Sequence, residues 1–128
     1  MSFSGKIFRV LSILWALVIL VVSVIPSDEL PSLSIWEPDK VMHFLVYGIL
    51  TFLTAQTLIR LTVIYTLKKS IFRAIGLCIL YGISIELIQR ALPTRQFDVY
   101  DILANSLGCL LGAGLVLLIS VSKKRQVR

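Results

Sequence analysis

Residues 95–112 read RQFDVYDILANSLGCLLG, a polar loop that passes into an apolar segment and carries charged and amide side chains with it. If this segment is a helix from about residue 98, polar and glycine residues recur along it at intervals of three and four and share one face. These residues are Asp98, Asp101, Asn105, Gly108 and Gly112. The remaining positions are mostly Ile, Leu, Val and Ala. Because hydrocarbon does not solvate charged groups, the polar face should point at protein and not at lipid.

The rest of the chain is also too apolar for an ordinary soluble domain. Its 128 residues are 57% hydrophobic, and the mean hydropathy is +0.91. Apolar runs of the length that spans a bilayer, about 17–25 residues, lie at about 7–25, 41–59, 70–88 and 100–121. The first is longer than the apolar core of a signal peptide, so we expect it to be a permanent span. The sequence predicts an all-α membrane protein, a single domain over residues 1–128 with four transmembrane helices.

The charges between the spans predict an orientation. Lys and Arg without acids occupy the N-terminal flank, residues 60–73 and the C-terminal tail, whereas acids predominate in residues 26–40 and balance the cations in residues 90–101. Cytoplasmic flanks carry the excess of Lys and Arg, so both termini should be cytoplasmic. This bias and attraction to anionic lipid account for the net charge of +6, and no nucleic acid partner is expected.

The second and third spans carry their own polar side chains. Asp39, His43 and Tyr47 are successive i, i+4 neighbours on the second span, beside Lys40, and His43 is the only histidine. The third span is apolar until Glu86, which precedes Gln89 by about one turn. A charged side chain at the centre of a bilayer costs roughly 2.5–3.5 kcal/mol on insertion scales, so the carboxylate needs partners.

Helix geometry places polar residues of three spans at one depth. With a rise of 1.5 Å per residue and a ~30 Å core, Glu86 lies roughly 5 Å inside the outer boundary. His43 lies about 4–5 Å inward from Lys40, and Asn105 about 6 Å inward from Asp101. These side chains should meet in a polar pocket that opens to the outer face. Further polar residues lie just outside that level: Asp39, Gln89, Arg95, Asp98 and Asp101.

Small residues on the spans favour close helix contact. Gly108 and Gly112 form a G-x-x-x-G pattern, and Gly76 and Gly82 lie on the third span. Packing inside the monomer is the favoured interpretation, and a homo-oligomer is not indicated.

Cys78 and Cys109 both fall inside spans, where we interpret them as packing residues. The chain has no C-x-x-C pattern or Cys/His cluster, so we expect no metal and no cofactor.

At these residues the sequence resembles the VanZ-like family of bacterial membrane proteins. The match is carried by three patterns: Asp39-Lys40-x-x-His43-Phe44-x-x-Tyr47, Glu86-x-x-Gln89 and Arg95-x-x-Asp98-x-x-Asp101-x-x-x-Asn105-x-x-Gly108-x-x-x-Gly112. The resemblance implies a small multi-pass protein of the bacterial inner membrane, and the family's namesake is associated with resistance to the glycopeptide teicoplanin. It does not imply a biochemical activity.

The leading functional hypothesis is a protein that binds a membrane lipid headgroup or a lipid-linked envelope precursor. Lys40 and Arg95 would meet phosphate, while acids and amides would meet sugar or amine groups. The expected ligand-binding residues are Asp39, Lys40, Tyr47, Gln89, Arg95 and Asn105.

Two alternatives remain open on the sequence. In an intramembrane hydrolase or transferase acting on a lipid-linked phosphate or ester, His43 would be general base or nucleophile. Glu86, Asp98 and Asp101 would complete its catalytic set. Such a set could also hold a divalent ion, although no strong metal motif indicates one. In the second alternative the polar residues only join helices, through contacts that average about 0.6 kcal/mol.

Overall fold

The computed structural model describes residues 3–26, 38–61, 65–93 and 97–126. They form four helices: α1 (Phe3–Val24), α2 (Pro38–Leu61), α3 (Leu67–Arg90) and α4 (Val99–Gln126). Each is long and apolar enough to cross a membrane. The prediction of an all-helical protein with four helices able to span a membrane is therefore confirmed for this part of the chain. The predicted spans differ from the helices by a few residues at their ends.

Helix ends are set by polar capping groups and by proline. The Asp98 carboxylate accepts a hydrogen bond from the backbone N–H of Tyr100 at 2.8 Å, so Asp98 caps α4, which begins one residue later. At the start of α3, the Thr66 side chain accepts from the backbone N–H of Lys69. Helix α3 ends at Arg90, shortly before Pro93, which cannot continue a helix.

Helices α2 and α4 form the closest pair in the bundle. Gly108 lies against the backbone carbonyl of Phe44, and Gly112 lies against that of Gly48. A Cβ atom at either α4 glycine would overlap that carbonyl oxygen. The two glycines therefore bring the two backbones into direct contact within one chain.

Helix α1 packs on the outside of α2 and α3 and leaves most of its apolar side chains exposed. It is tied to the bundle by hydrogen bonds to backbone carbonyls. The Trp15 indole N–H donates to Val46 O at 2.9 Å, and the Tyr81 hydroxyl donates to Ala16 O at 2.6 Å. The exposed Leu, Ile and Val side chains suit contact with lipid, which is the solvent that such a surface needs.

The two ends of the bundle differ. One end, which we call the site end, is formed by the C-terminal ends of α1 and α3 and the N-terminal ends of α2 and α4. Toward the other end, the Arg60 guanidinium donates to Ser4 Oγ at 2.8 Å and lies over the Phe8 ring. Arg73 lies over the Tyr65 ring with 3.6 Å to its centroid. Both guanidinium groups are thus held by aromatic rings near helix ends.

Candidate functional site

Three titratable side chains from three helices meet near the site end. His43 of α2, Glu86 of α3 and Asp101 of α4 each place one nitrogen or oxygen atom within 4.8 Å of the other two. Glu86 is fully buried, Asp101 is 6% exposed, and the His43 side chain is 14% exposed. We call these three residues the acid–imidazole cluster. Such a group can hold a proton, a polar ligand or a cation between its members.

The orientation of the His43 ring follows from its neighbours on α4. Its Nδ1 lies 3.0 Å from Asn105 Oδ1. An amide oxygen only accepts, so this hydrogen bond requires the form of the imidazole in which Nδ1 carries a hydrogen. The other ring nitrogen, Nε2, lies 3.9 Å from Asp101 Oδ2, which is beyond hydrogen-bond distance. The Asn105 amide thus directs Nε2 toward the carboxylates.

Tyr47 and Gly82 complete the inner wall of the site. The Tyr47 ring lies nearly parallel to the His43 ring, with 6.5 Å between centroids. A Cβ atom on Gly82 would lie 3.1 Å from both Asn105 Nδ2 and Tyr47 Cε1. A side chain at residue 82 would therefore crowd Asn105 and Tyr47, and glycine avoids this contact. Gly76, by contrast, has no neighbour within 4 Å of such an atom among the described residues.

Two buried donors of this wall have no hydrogen-bond acceptor among the residues that the structure describes. They are Asn105 Nδ2 and the Tyr47 hydroxyl, and each residue is 1% exposed. A buried donor without an acceptor costs about 1–3 kcal/mol. Packing alone therefore does not explain why these two donors are buried without acceptors.

Other predicted residues lie beside the cluster and not in it. Lys40 Nζ lies 3.4 Å from Asp98 Oδ2, with both side chains about one-third exposed. The Gln89 amide donates to Ser23 O at 3.2 Å, which connects α3 to the end of α1. Asp98 therefore caps α4 and pairs with Lys40, and it is not a member of the cluster. Arg95 and the side chain of Asp39 lie outside the described residues.

A cavity of about 240 Å³ adjoins the cluster between α1, α2 and α3. Its polar wall consists of Ser23, His43, Tyr47 and Gln89. The rest is apolar and comes from α1 and α2: Trp15, Val18, Ile19, Val22, Met42 and Val46. This space is more apolar than the polar pocket that the sequence predicts. Sequence reasoning misses the α1 side chains that line it, because nothing distinguishes them within a uniformly apolar span.

Comparison with known proteins agrees with the resemblance carried by these residues. An uncharacterized protein of Schizosaccharomyces pombe is 34% identical over 103 residues, which cover 77% of this chain and 58% of the relative. The chain thus spans a little over half the length of that protein. No solved structure shows a significant match. The VanZ/LLP1 family matches residues 6–120, which include every member of the cluster and nearly all of the four helices. The chain therefore belongs to the VanZ/LLP1 family.

Proposed function

We propose that this protein binds a membrane lipid with a phosphate-containing headgroup at the site end of the bundle. The observation that carries the proposal is the cavity beside the acid–imidazole cluster, which is mostly apolar along α1 and polar at Ser23, His43, Tyr47 and Gln89. A lipid has the same division into a hydrocarbon chain and a polar head. The match between these two divisions favours a lipid over a wholly polar solute.

The size of the cavity limits how much of the lipid it can hold. Its volume of about 240 Å³ is smaller than the ~300–1,000 Å³ of typical small-molecule sites. The ligand would therefore place only its headgroup and the adjoining chain segment inside, and the rest of its hydrocarbon would remain in the bilayer. The exposed face of α1 is compatible with such partial entry.

Cationic and polar groups at the site end suit a phosphate. Lys40 is a phosphate-binding side chain one turn from His43, and its ion pair with Asp98 is partly exposed. A second cation, Arg95, precedes Asp98 by three residues in the sequence. We expect the phosphate to compete with Asp98 for Lys40.

The lipid could be an ordinary phospholipid or a lipid-linked envelope precursor, since both combine a phosphate with a long chain. Retention of phosphatidylglycerol and of undecaprenyl phosphate can be compared by native mass spectrometry of the purified protein. Binding to the second lipid alone would favour a role in the envelope, which a link to teicoplanin resistance requires.

Filling the cavity should abolish lipid retention. Val22 lines the cavity, whereas the adjacent Val21 does not. Both side chains are about half exposed, so a larger residue fits at either position without disturbing the core. We expect Val22→Trp to lower the bound fraction of lipid at least tenfold, measured by native mass spectrometry.

The matched control is Val21→Trp, which adds the same indole to the same helix outside the cavity. It should retain lipid like the unmodified protein. Equal retention in both variants would show that the lipid binds elsewhere and would overturn the proposal.

A second candidate function is hydrolysis or transfer at an ester or phosphate of the bound lipid. It is favoured by His43, which lies in the cavity wall and is oriented by Asn105. In hydrolysis, His43 would accept the proton of an attacking water and return it to the departing alcohol.

This candidate predicts that lipid turnover is lost in His43→Gln and in Glu86→Gln. Products of phosphatidylglycerol incubated with the protein in nanodiscs can be followed by mass spectrometry. Lipid retention serves as the control for the integrity of the site. Turnover that persists in His43→Gln would exclude this role for the imidazole.

We also propose that the site end faces away from the cytoplasm, as the distribution of Lys and Arg predicts. Single cysteines at Ala91 and Ser122, which are exposed at opposite ends of the bundle, test the orientation. The native Cys78 and Cys109 are buried and should not react. In intact cells a membrane-impermeant maleimide should label Ala91→Cys but not Ser122→Cys. The reverse pattern would contradict the proposed orientation.

A further inference from the structure

We infer that His43, Glu86 and Asp101 form a binding site for one divalent transition-metal ion of the Zn²⁺ class. The inference concerns the buried side of the acid–imidazole cluster and does not depend on lipid in the adjoining cavity. One imidazole and two carboxylates are a donor set that suits such ions. Each donor comes from a different helix, so the ion would join α2, α3 and α4.

The distances within the cluster are close to those around a single ion. Bonds from Zn²⁺ to nitrogen or oxygen are about 2.0–2.2 Å, so two ligand atoms of one tetrahedral ion lie about 3.3–3.6 Å apart. His43 Nε2 and Asp101 Oδ2 are 3.9 Å apart, and no pair in the cluster exceeds 4.8 Å. The first distance is too long for a hydrogen bond and is only slightly longer than the separation around an ion. Closing the longest separation needs side-chain shifts that total about 1–1.5 Å.

The His43 ring is already in the orientation that metal binding requires. A metal-bound histidine typically donates its other N–H to an oxygen that fixes the ring. His43 Nδ1 donates to Asn105 Oδ1 at 3.0 Å, which leaves the Nε2 lone pair on the side of Asp101. Asn105 thus occupies the position of a residue that orients a metal ligand.

Charge balance also favours a cation. Glu86 is fully buried and Asp101 nearly so, within helices long enough to cross a membrane. Two ionised carboxylates and a neutral imidazole sum to two negative charges, which a divalent ion cancels.

An independent observation is the pair of donors that adjoin the cluster. Asn105 Nδ2 and the Tyr47 hydroxyl are buried and have no acceptor in the described part of the chain. Asn105 is bonded to the His43 ring, and Tyr47 is stacked on it. An ion with three protein ligands keeps a further position for water or another oxygen ligand. An oxygen atom there would be an acceptor for such donors.

The donor set selects the class of ion. Imidazole favours Zn²⁺ and related transition metals, whereas Mg²⁺ prefers oxygen ligands and retains several waters. Burial of Glu86 and Asp101 leaves little place for a hydrated ion. We therefore expect selectivity for Zn²⁺ over Mg²⁺.

The test uses the full chain without a histidine tag, reconstituted in nanodiscs and treated with a chelator. Co²⁺ serves as a visible probe, and Zn²⁺ is then added to displace it. We expect one Co²⁺ per chain, displaced by Zn²⁺ and not by Mg²⁺. Glu86→Gln and Asp101→Asn should each weaken binding at least tenfold. The control Asp28→Asn, which changes an acid that is not one of the three proposed ligands, should bind like the unmodified protein.

The single histidine provides a second measurement that needs no substitution. In protein labelled with ¹⁵N on histidine, Zn²⁺ should shift the Nε2 resonance of His43 and leave Nδ1 protonated. If folded, unmodified protein binds no Co²⁺, or if Zn²⁺ leaves the imidazole unchanged, the inference is wrong and the cluster is neutralised by protons. Lipid retention after chelation, measured separately, shows whether the proposed lipid binding stands without the ion.

Discussion

Replacing Gly112 with alanine should strongly destabilise the four-helix bundle, although the change adds only one methyl group. The new Cβ atom would overlap the backbone carbonyl of Gly48, which cannot move without separating α2 from α4. Overpacking of this kind typically costs about 1–3 kcal/mol. Because the new Cβ atom would meet backbone atoms of α2 and not a flexible side chain, we expect a cost in the upper part of that range. Reversible unfolding in mixed micelles, followed by circular dichroism, measures the change in free energy of unfolding.

The control for this prediction is Gly114→Ala, two residues along the same helix. A Cβ atom at Gly114 meets nothing within 4 Å in the described structure, so alanine should be neutral or slightly stabilising. Equal effects at the two positions would mean that the close contact between α2 and α4 does not exist. Greater loss at Gly114 would assign that helix face to another interface.

The four spans could be predicted because apolar length is a direct consequence of bilayer thickness. The helix ends could not be placed to the residue, because caps decide them. Asp98 illustrates this: its spacing from Asp101 fits a helix, yet its carboxylate bonds to the backbone N–H of Tyr100 and caps α4. A spacing rule does not distinguish the first helical residue from its cap.

The common level of the polar residues along the bundle could also be predicted, since each helix has a fixed rise per residue. The structure brings His43, Glu86, Asp101 and Asn105 together at the expected end of the bundle. Their roles in binding or catalysis stay predictions. Which residues touch could not be derived, because contacts depend on the rotation of each helix about its axis.

The position of α1 is the part of the fold on which the sequence is least informative. Its side chains are almost uniformly apolar, so no face indicates its neighbours. The structure fixes it through Trp15 and Tyr81, each bonded to a backbone carbonyl. As a result, neither the cavity beside His43 nor the bond from Gln89 to Ser23 could be foreseen.

Replacing Asn105 with leucine should strongly weaken ligand binding while leaving the stability of the bundle nearly unchanged. The substitution removes the acceptor of His43 Nδ1, which costs about 1–3 kcal/mol. It also removes Nδ2, a buried donor without an acceptor in the described structure, and so relieves a cost of similar size. The two effects on the free energy of unfolding should largely cancel.

The effect on binding has no such compensation. Without Asn105 Oδ1 the imidazole loses the bond that orients Nε2, and loss of an orienting partner typically weakens metal affinity 10–100-fold. We expect Co²⁺ affinity to fall by this factor in Asn105→Leu and lipid retention to fall with it.

The control is Ser106→Leu, which makes the same polar-to-apolar change one residue away. The Ser106 hydroxyl bonds only to Ile102 O of its own helix among the described contacts. That control should alter neither binding nor stability. If the polar residues merely joined helices, Asn105→Leu would instead lower stability and leave binding of both probes unchanged.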